Sequence, residues 1–567
     1  METIIGIDLG TSTTEAAIYR NGKVEMILNF DKEVITPSAI GIDDGGNWVV
    51  GQRAMSQFIL SPENTAIEVK RKIGTNEQIP IGKRSYSPVF LSAKLLEFVR
   101  TYASEYCGED ITKAVISVPA YFNEIQRQET IAAGTRAGFD VERILNEPTA
   151  AALSYGLDHM DEESHILVYD LGGGTFDVTL LEMYSGVLEV KASAGDNQLG
   201  GKDFDEKIIN QLIKNFQKKN GVDLSSDRHA MVKLKDEAER CKKVLSKENS
   251  YHILIPAITT VNGQPVELDE SITRKEFEKL VRPLIERTHA PIDVVLKDSG
   301  ISPANLDRVI LVGGSTRMPI VAADIESYLG KTPDVAVNPD YAVAEGAAIQ
   351  AAIISGEINP YEGLLMTDVN PYSLGVRCFN GFTSNYFSVI IPRNVTIPTS
   401  RTERYYSPRP GETMVYIDVY QGESEIATNN HMLGRIELDG IPRETNIQEP
   451  IDVTFSYNLN GMLDVKATIV KTGKDASISI NMQNQERDDD AVVSYDDWKD
   501  SPIADDYRAI IRRAERAIRH MDDDDDEAAE RIEAALNSLK KAIAENDSDE
   551  ADECENLLIG ILHSLED

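Results

Sequence analysis

The strongest local signal in the sequence is Ile5-Gly6-Ile7-Asp8-Leu9-Gly10-Thr11-Ser12-Thr13-Thr14. Apolar residues lead to an acid, and glycine and hydroxyl residues follow it, which predicts a buried strand that ends in a tight turn. Backbone N–H groups in such a turn can bind a phosphate, and the neighbouring carboxylate can hold a cation. The stretch therefore predicts one half of a nucleotide site.

Similar turns occur twice more, at Val168-Tyr169-Asp170-Leu171-Gly172-Gly173-Gly174-Thr175 and, without the acid, at Leu311-Val312-Gly313-Gly314-Ser315-Thr316-Arg317. Two strand–acid–glycine hairpins predict two pseudo-equivalent lobes, and the third turn would let the backbone approach a nucleoside closely. A single turn is equally well explained as a ligand-free connection from strand to helix, but three in order are far more specific. No GxxxxGK[ST] string occurs, which excludes a P-loop.

Along the whole chain, three regions differ in the spacing of their apolar residues. At 567 residues the chain is too long for one hydrophobic core, so we expect at least two domains. Up to about Ile358, β-branched runs alternate with amphipathic helices, which predicts an α/β domain. From Tyr372 to about Ile480, apolar residues alternate with period two, which predicts an antiparallel β-sandwich. Helical spacing returns in residues 507–521 and 532–543, and the acidic run 522–526 between them is interpreted as a solvated connector.

Composition narrows the class of protein. The net charge of −37 would repel a phosphate backbone, so nucleic acid is not an expected partner. The four cysteines are far apart without CxxC spacing, which argues against zinc, redox pairs and disulfides and favours a reducing compartment. Since the first residues lack a basic segment and no apolar run could span a bilayer, we expect a cytoplasmic protein without a membrane partner.

These stretches, with Val118-Pro119-Ala120-Tyr121-Phe122 and Asn146-Glu147-Pro148-Thr149-Ala150-Ala151-Ala152, resemble the DnaK-type heat shock protein 70 family of chaperones. The resemblance extends from Met1 to about Ile480, and the short C-terminus and residues 368–375 look most like the HscC-type bacterial members. It implies four segments: an actin-like, ribonuclease H-like ATPase domain of two lobes (1–360), a linker (361–368), a β-sandwich that binds peptide (369–486) and a short α-helical lid (487–567).

The resemblance implies ATP or ADP with Mg²⁺ as cofactors, with K⁺ as a further candidate ion. Asp8 and Asp170 match the carboxylates that hold hydrated magnesium, and Lys70 matches the lysine that positions the attacking water. The other matching catalytic residues are Glu147, Thr175 and Asp177. The residues that match positions around the phosphates are Thr11, Ser12, Thr13, Gly172, Gly173 and Thr175. Gly10, Gly200 and Gly201 match further nucleotide-binding positions.

The adenosine pocket implied by the resemblance is formed by Glu239, Lys242, Lys243, Ser246, Gly313, Gly314, Ser315, Arg317 and Asp340. Simpler explanations stay open from the residues alone. Glu239 and Lys243 also suit an ordinary i,i+4 ion pair, Lys70 a surface lysine, and Glu147 a carboxylate at a helix start.

In the sandwich, the positions that match the peptide pocket are Val376, Cys378, Phe379, Tyr405, Pro408, Val415 and Ile417. Val415 and Ile417 are equally typical of a plain sandwich core. The positions that match interdomain coupling are Pro119, Arg127, Arg143, Leu364, Leu365 and Asp368, and Arg143 and Asp368 also match positions used by a J-domain.

The implied function is ATP-driven binding and release of extended, unfolded polypeptide, with a J-domain co-chaperone and a nucleotide-exchange factor as expected partners. One alternative is a small-molecule kinase on an actin-like fold, against which the β-rich half argues. The other is a holdase or nucleotide-exchange protein that barely hydrolyses ATP, against which Lys70, Glu147, Asp170 and Thr175 argue.

Overall fold

The computed structural model describes residues 3–157, 159, 162–184, 186–261, 264–334, 338–359, 365–443, 447–458, 463–479, 492–493, 503–519, 532, 535–540, 542–543 and 548–563. The chain forms two compact units. The first comprises Met1–Glu77 and Ser87–Asp488, and the second comprises Gln78–Tyr86 and Asp489–Asp567. None of the described helices combines the length and apolar character needed to cross a membrane.

We number strands and helices in chain order. The first sheet of the first unit has the order β11-β10-β1-β2-β3, and β4 pairs with β2. Its strands are β1 (Ile4–Leu9), β2 (Thr13–Arg20), β3 (Lys23–Met26), β4 (Thr36–Pro37), β10 (Lys113–Val118) and β11 (Asp140–Asn146). A small neighbouring sheet has the order β6-β5-β7. Its strands are β5 (Ala39–Ile42), β6 (Trp48–Val50) and β7 (Thr65–Ile67).

The second sheet has the order β17-β12-β13-β14-β18-β21. Its strands are β12 (Ser164–Leu171), β13 (Phe176–Tyr184), β14 (Val187–Asp196), β17 (Arg308–Val312), β18 (Leu365–Val369) and β21 (Thr396–Ile397). In each sheet an acid-bearing strand, β1 or β12, pairs antiparallel with the next strand and parallel with a distant one. The two sheets thus repeat one local arrangement. A separate hairpin pairs β15 (Ser250–Val261) with β16 (Gln264–Thr273).

Ten helices are described in the α/β part, and two of them hold the sheets together. They are α1 (Gln52–Leu60), α2 (Pro88–Cys107), α3 (Glu124–Arg136), α4 (Glu147–Leu157), α5 (Gly201–Asn220), α6 (Arg228–Leu245), α7 (Arg274–Glu286), α8 (His289–Ser299), α9 (Pro319–Leu329) and α10 (Ala342–Ser355). Small residues let α10 approach closely: a Cβ on Gly346 would lie 1.7 Å from the Ala150 carbonyl oxygen of α4, and one on Gly6 would lie 2.2 Å from the Ala348 nitrogen. The acid-bearing strands are therefore fixed against this helix pair.

Two four-stranded antiparallel sheets follow, with the orders β20-β19-β23-β24 and β22-β25-β26-β27. Their strands are β19 (Leu374–Cys378), β20 (Tyr386–Ile391), β22 (Thr399–Tyr406), β23 (Met414–Gln421), β24 (His431–Asp439), β25 (Pro450–Tyr457), β26 (Leu463–Ile469) and β27 (Asp475–Ser479). Their inward residues, among them Val419, Val453 and Phe455, form one buried cluster. The prediction of an α/β part followed by a β-sandwich is confirmed.

The second unit combines a hairpin from the N-terminal half with C-terminal helices. Strands β8 (Ile79–Ile81), β9 (Arg84–Tyr86) and β28 (Val492–Val493) form a three-stranded sheet. Helices α11 (Ala504–Arg519) and α12 (Ser548–His563), with helical residues at 535–540, bury a cluster that includes Ile511, Leu539 and Leu558. The acidic run 522–526 lies outside the described residues. The four predicted segment boundaries stay predictions.

Candidate functional site

A cleft of about 700 Å³ lies where the glycine turns of the two sheets meet. Nearly all of the predicted nucleotide and catalytic residues line it. They are Asp8, Gly10, Thr11, Ser12, Thr13, Lys70, Glu147, Asp170, Gly172, Gly173, Thr175, Gly201, Glu239, Lys242, Lys243, Ser246, Gly313, Gly314, Ser315, Arg317 and Asp340. Asp177 and Gly200 are buried and are not among the residues that line it. The cleft is within the volume range of small-molecule sites.

The glycines at the cleft have steric reasons to be glycine. A Cβ on Gly173 would lie 2.3 Å from the Ser12 hydroxyl, and one on Gly200 would lie 2.4 Å from the Gly174 nitrogen. Gly313 has φ +82°, and its Cβ would lie 2.5 Å from the Leu171 carbonyl oxygen. The three turns are therefore packed closely together, and residues of each turn line the same cleft.

Lys70 and Glu147 form a buried ion pair at the floor of the cleft. Lys70 lies in the short helical turn Val69–Lys72. Glu68, which precedes this turn, has a left-handed backbone conformation with φ 60°. The Lys70 ammonium group also lies 5.8 Å from the centre of the Phe122 ring. Glu147 begins α4 directly after β11, so the end of a strand and the start of a helix place its carboxylate against Lys70.

Further carboxylates converge on this pair. Burial, followed by the charge of Glu147, raises the pKa of Asp8 to about 7, although Ser117 donates a hydrogen bond of 2.9 Å to it. Burial and Glu147 likewise raise the pKa of Asp177 to about 7, and its Oδ1 accepts a hydrogen bond from the Tyr121 N–H at 2.9 Å. The pKa of Asp170 is raised for the same two reasons. With Lys70 taken by Glu147, these acids need a further cation to remain charged together.

The donor set fits Mg²⁺. Its side-chain donors are carboxylates and hydroxyls, which are the oxygen ligands of hard cations. Among the described residues, no three histidine, cysteine or acidic side chains converge closely enough to form a closed metal site. A cation at Asp8 and Asp170 would therefore keep most of its water, as Mg²⁺ commonly does in proteins.

On the opposite side of the cleft, the predicted adenosine residues form an ion-pair network. Lys242 donates to Asp205 Oδ2 and to the Gly201 carbonyl oxygen, both at 2.9 Å. Lys243 pairs with Glu239 at 2.9 Å. Burial acts to raise the pKa of Glu239, but Lys202 and Lys243 outweigh it and lower that pKa to about 2. The i,i+4 ion pair expected as the simpler explanation is thus present, and nucleotide contact by these residues stays a prediction.

Arg317 and Asp340 also pair with each other, with Arg317 Nη2 donating to Asp340 Oδ2 at 2.5 Å. Ser315 donates its hydroxyl to the Gly172 carbonyl oxygen at 2.8 Å and so ties the third turn to the second. Ser246 caps its own helix by donating to the Lys242 carbonyl oxygen at 2.9 Å. All of these groups face a space large enough for a nucleoside.

A family model described as Hsp70 protein matches residues 4–81 and 75–559 of the chain. The chain belongs to the Hsp70 family. Hsp70 proteins are chaperones that bind ATP or ADP with Mg²⁺, act as ATPases, and bind unfolded polypeptides and co-chaperones.

Hydrogen bonds connect the residue that precedes Glu147 in the Hsp70 chain to the segment that enters the sandwich. Asn146, the neighbour of Glu147, donates from Nδ2 to both carboxylate oxygens of Asp368 in β18, at 2.9 Å each. Buried Arg127 donates to Asn146 Oδ1 at 2.7 Å and to the carbonyl oxygens of Ala120 and Phe122. Two of the predicted coupling residues, Arg127 and Asp368, are therefore connected through Asn146, which was not predicted as a coupling residue.

The other predicted coupling residues have mixed outcomes. Pro119 is buried at the end of β10. Arg143 is partly buried near Asp368, and burial lowers its pKa while the charge of Asp368 acts to raise it. Leu365 is half exposed in β18, and Leu364 lies outside the described residues.

Sequence reasoning missed several residues that contact both the α/β part and the sandwich. The rings of Tyr121 and Tyr372 pack with centroids 4.3 Å apart and planes tilted by 39°, and the Tyr372 hydroxyl donates to the Tyr121 carbonyl oxygen at 3.0 Å. Glu124 donates its N–H to Gln421 at 3.1 Å and accepts from the Tyr457 hydroxyl at 3.2 Å. The available signal was the position of Tyr121 inside the quoted Val118–Phe122 motif, whereas nothing local marks Glu124.

The predicted peptide residues divide by burial. Val376, Val415 and Ile417 are in the sandwich core, as the simpler explanation for Val415 and Ile417 expects. Phe379 is 67% exposed, and Pro408 is exposed after β22. Cys378 and Tyr405 are partly buried, and the Tyr405 hydroxyl lies 2.9 Å from that of Ser388. All seven assignments to peptide contact stay predictions.

Proposed function

We propose that this Hsp70 protein is an ATP hydrolase whose cycle alternates low and high affinity for extended apolar segments of unfolded polypeptide. The observation that carries the proposal is the continuous connection from Lys70 and Glu147 through Asn146 to Asp368. Because β18 pairs with β14 of the α/β part and with β21 at the sandwich, a change at the cleft can alter how the sandwich is held.

In the hydrolysis step, the chain supplies orientation and charge. The Lys70 ammonium group, held by Glu147, would position the attacking water, and Thr175 and the glycine turns would donate to the phosphates. Asp8 and Asp170 would hold hydrated Mg²⁺, which neutralises phosphate charge when bound. Phosphoryl transfer to water needs little covalent participation by the protein, so these groups suffice.

The segments assigned to the proposal are the ATPase domain at 1–360, the linker at 361–368, the peptide sandwich at 369–486 and the lid at 487–567. We further propose a J-domain co-chaperone, a nucleotide-exchange factor and a cytoplasmic location. We also propose a likeness to HscC-type members, which residues 368–375 support. In the sandwich, main-chain hydrogen bonds and one side-chain pocket would hold the peptide with little sequence demand.

Single-turnover hydrolysis, measured with and without an apolar peptide and a J-domain, tests the proposal. We expect both to accelerate hydrolysis, and a fluorescent peptide to be released faster with ATP than with ADP. Lys70→Met and Thr175→Ala should abolish hydrolysis while nucleotide binding remains. A peptide release rate that is independent of the nucleotide would refute the coupling, and unchanged turnover in both variants would refute the site.

A further inference from the structure

Glu15 is an acid of the cleft that the reaction described above does not use. It lies in β2 as the cross-strand partner of Asp8 in β1, and both residues line the cleft. Residues directly opposite in an antiparallel pair point to the same face, with Cβ atoms about 4.5–5.5 Å apart. The hairpin therefore places two carboxylates side by side, with Glu15 2% exposed behind the more open Asp8.

The surroundings of Glu15 do not balance its charge. The Thr13 hydroxyl donates a hydrogen bond to it, but Asp8 and Asp340 are like charges, and Lys70 is the cation that acts on it. Lys70 is already paired with Glu147. No described lysine or arginine forms an ion pair with Glu15. Like charges opposite each other destabilise a sheet, so this pair costs stability unless something positive lies between or in front of it.

We propose that Glu15 is a positioning residue for the cation: it accepts hydrogen bonds from the water of the hydrated Mg²⁺ that Asp8 and Asp170 face, and so makes nucleotide affinity depend strongly on magnesium. The proposal rests on the function proposed above. A water-mediated role fits because the described acids do not form a closed metal site. Carboxylates that orient the first shell of a metal typically change its affinity by 10- to 100-fold when removed.

The test is the affinity for fluorescent ADP, measured in EDTA and in millimolar Mg²⁺, for the full chain and for Glu15→Gln. In EDTA the variant should bind ADP more tightly, because one negative charge near the phosphates is removed. In Mg²⁺ it should bind ADP more weakly. The ratio of the dissociation constant in EDTA to that in Mg²⁺ should therefore fall about tenfold or more. General damage to the site would instead weaken binding in both conditions.

Two further variants complete the design. Glu25→Gln removes an acid from neighbouring β3, where Glu25 pairs with Lys23 away from the cleft, and should leave the ratio unchanged. Glu15→Asp keeps the charge but withdraws the carboxylate by one methylene, so the ratio should still fall, though by less than in Glu15→Gln. This variant provides a readout if Glu15→Gln does not fold. A ratio equal to that of the natural chain in both Glu15 variants overturns the inference, and is the result expected if Asp8 and Glu15 merely share a proton. A natural chain that does not bind ADP refutes the proposed function instead.

Discussion

At the scale of a residue, Gly313 combines a left-handed backbone with a close approach. It has φ +82°, and an added Cβ would lie 2.5 Å from the Leu171 carbonyl oxygen and 2.8 Å from Asp170 Oδ1. We expect Gly313→Ala to lower the free energy of unfolding by more than the ~1–3 kcal/mol typical of a strained backbone, and to weaken ADP binding. Urea unfolding and ADP titration measure the two effects.

The matched control is Gly330→Ala. Gly330 ends α9 with φ +70°, but its Cβ would meet nothing within 4 Å. In this variant the free energy of unfolding should fall only by the cost of the strained backbone, and the ADP affinity should not change. Equal losses of stability in the two variants would mean that the close packing of the third turn on β12 contributes nothing.

The sequence predicts residues at the cleft well where the chemistry is local. A strand, an acid and a glycine turn are contiguous, so Asp8, Asp170 and Gly313 can be identified without knowing what lies opposite. Glu15 differs, because its environment is created by a cross-strand partner, and a single glutamate in a strand has no distinctive pattern. The same holds for Glu124, whose contacts with Tyr457 and Gln421 come from residues about 300 positions away.

At the scale of an element, the ends of β11 and β18 are held together by one side chain. Asn146 donates to both oxygens of buried Asp368 and accepts from Arg127. Asn146→Ala would leave two buried charged groups short of partners, which costs about 1–3 kcal/mol or more for charged groups. We expect basal ATP hydrolysis to persist while stimulation by peptide is lost, as single-turnover rates with and without peptide would show.

A suitable control is Thr179→Val in β13. It removes one buried hydrogen bond, between the hydroxyl groups of Thr179 and Ser193 at 2.9 Å, outside the connection from Asn146 to Asp368. This variant should lose stability but keep stimulation by peptide. If Thr179→Val loses stimulation as fully as Asn146→Ala, the effect follows from general destabilisation and not from the connection.

Elements were easier to predict than their pairings. Period-two alternation placed β23 and β25, and helical spacing placed α11. In contrast, the pairing of β18 with β14 and the grouping of hairpin β8–β9 with the C-terminal helices depend on partners far away in the chain. The third helical stretch, α12, lies within the segment expected to be a helical lid, but helical spacing did not locate it, because its apolar residues are interspersed with acids.

At the scale of the whole molecule, docking of the sandwich on the α/β part should respond to pH through Glu124. This side chain is fully buried, with Gln128 donating at 2.8 Å and Tyr457 at 3.2 Å. Burial raises its pKa to about 7 from an ordinary value of 4.5, while hydrogen bonds from Gln128, Tyr457 and the Leu463 N–H and the charge of Arg127 act to lower it. The docked state therefore binds a proton between pH 4.5 and 7 that the undocked state does not hold.

The direction of the pH dependence of docking follows from this proton uptake. Docking is most favourable below pH 4.5, weakens by up to about 1.4 kcal/mol per pH unit as pH rises towards 7, and then levels off. Donor and acceptor dyes on the α/β part and the sandwich would report the docked fraction across this range. Glu124→Gln keeps the hydrogen-bonding shape without the charge, so its docked fraction should lose this dependence, whereas Glu25→Gln should keep it. Because a glutamine side chain cannot take up a proton, an unchanged pH profile in Glu124→Gln would show that another group controls docking.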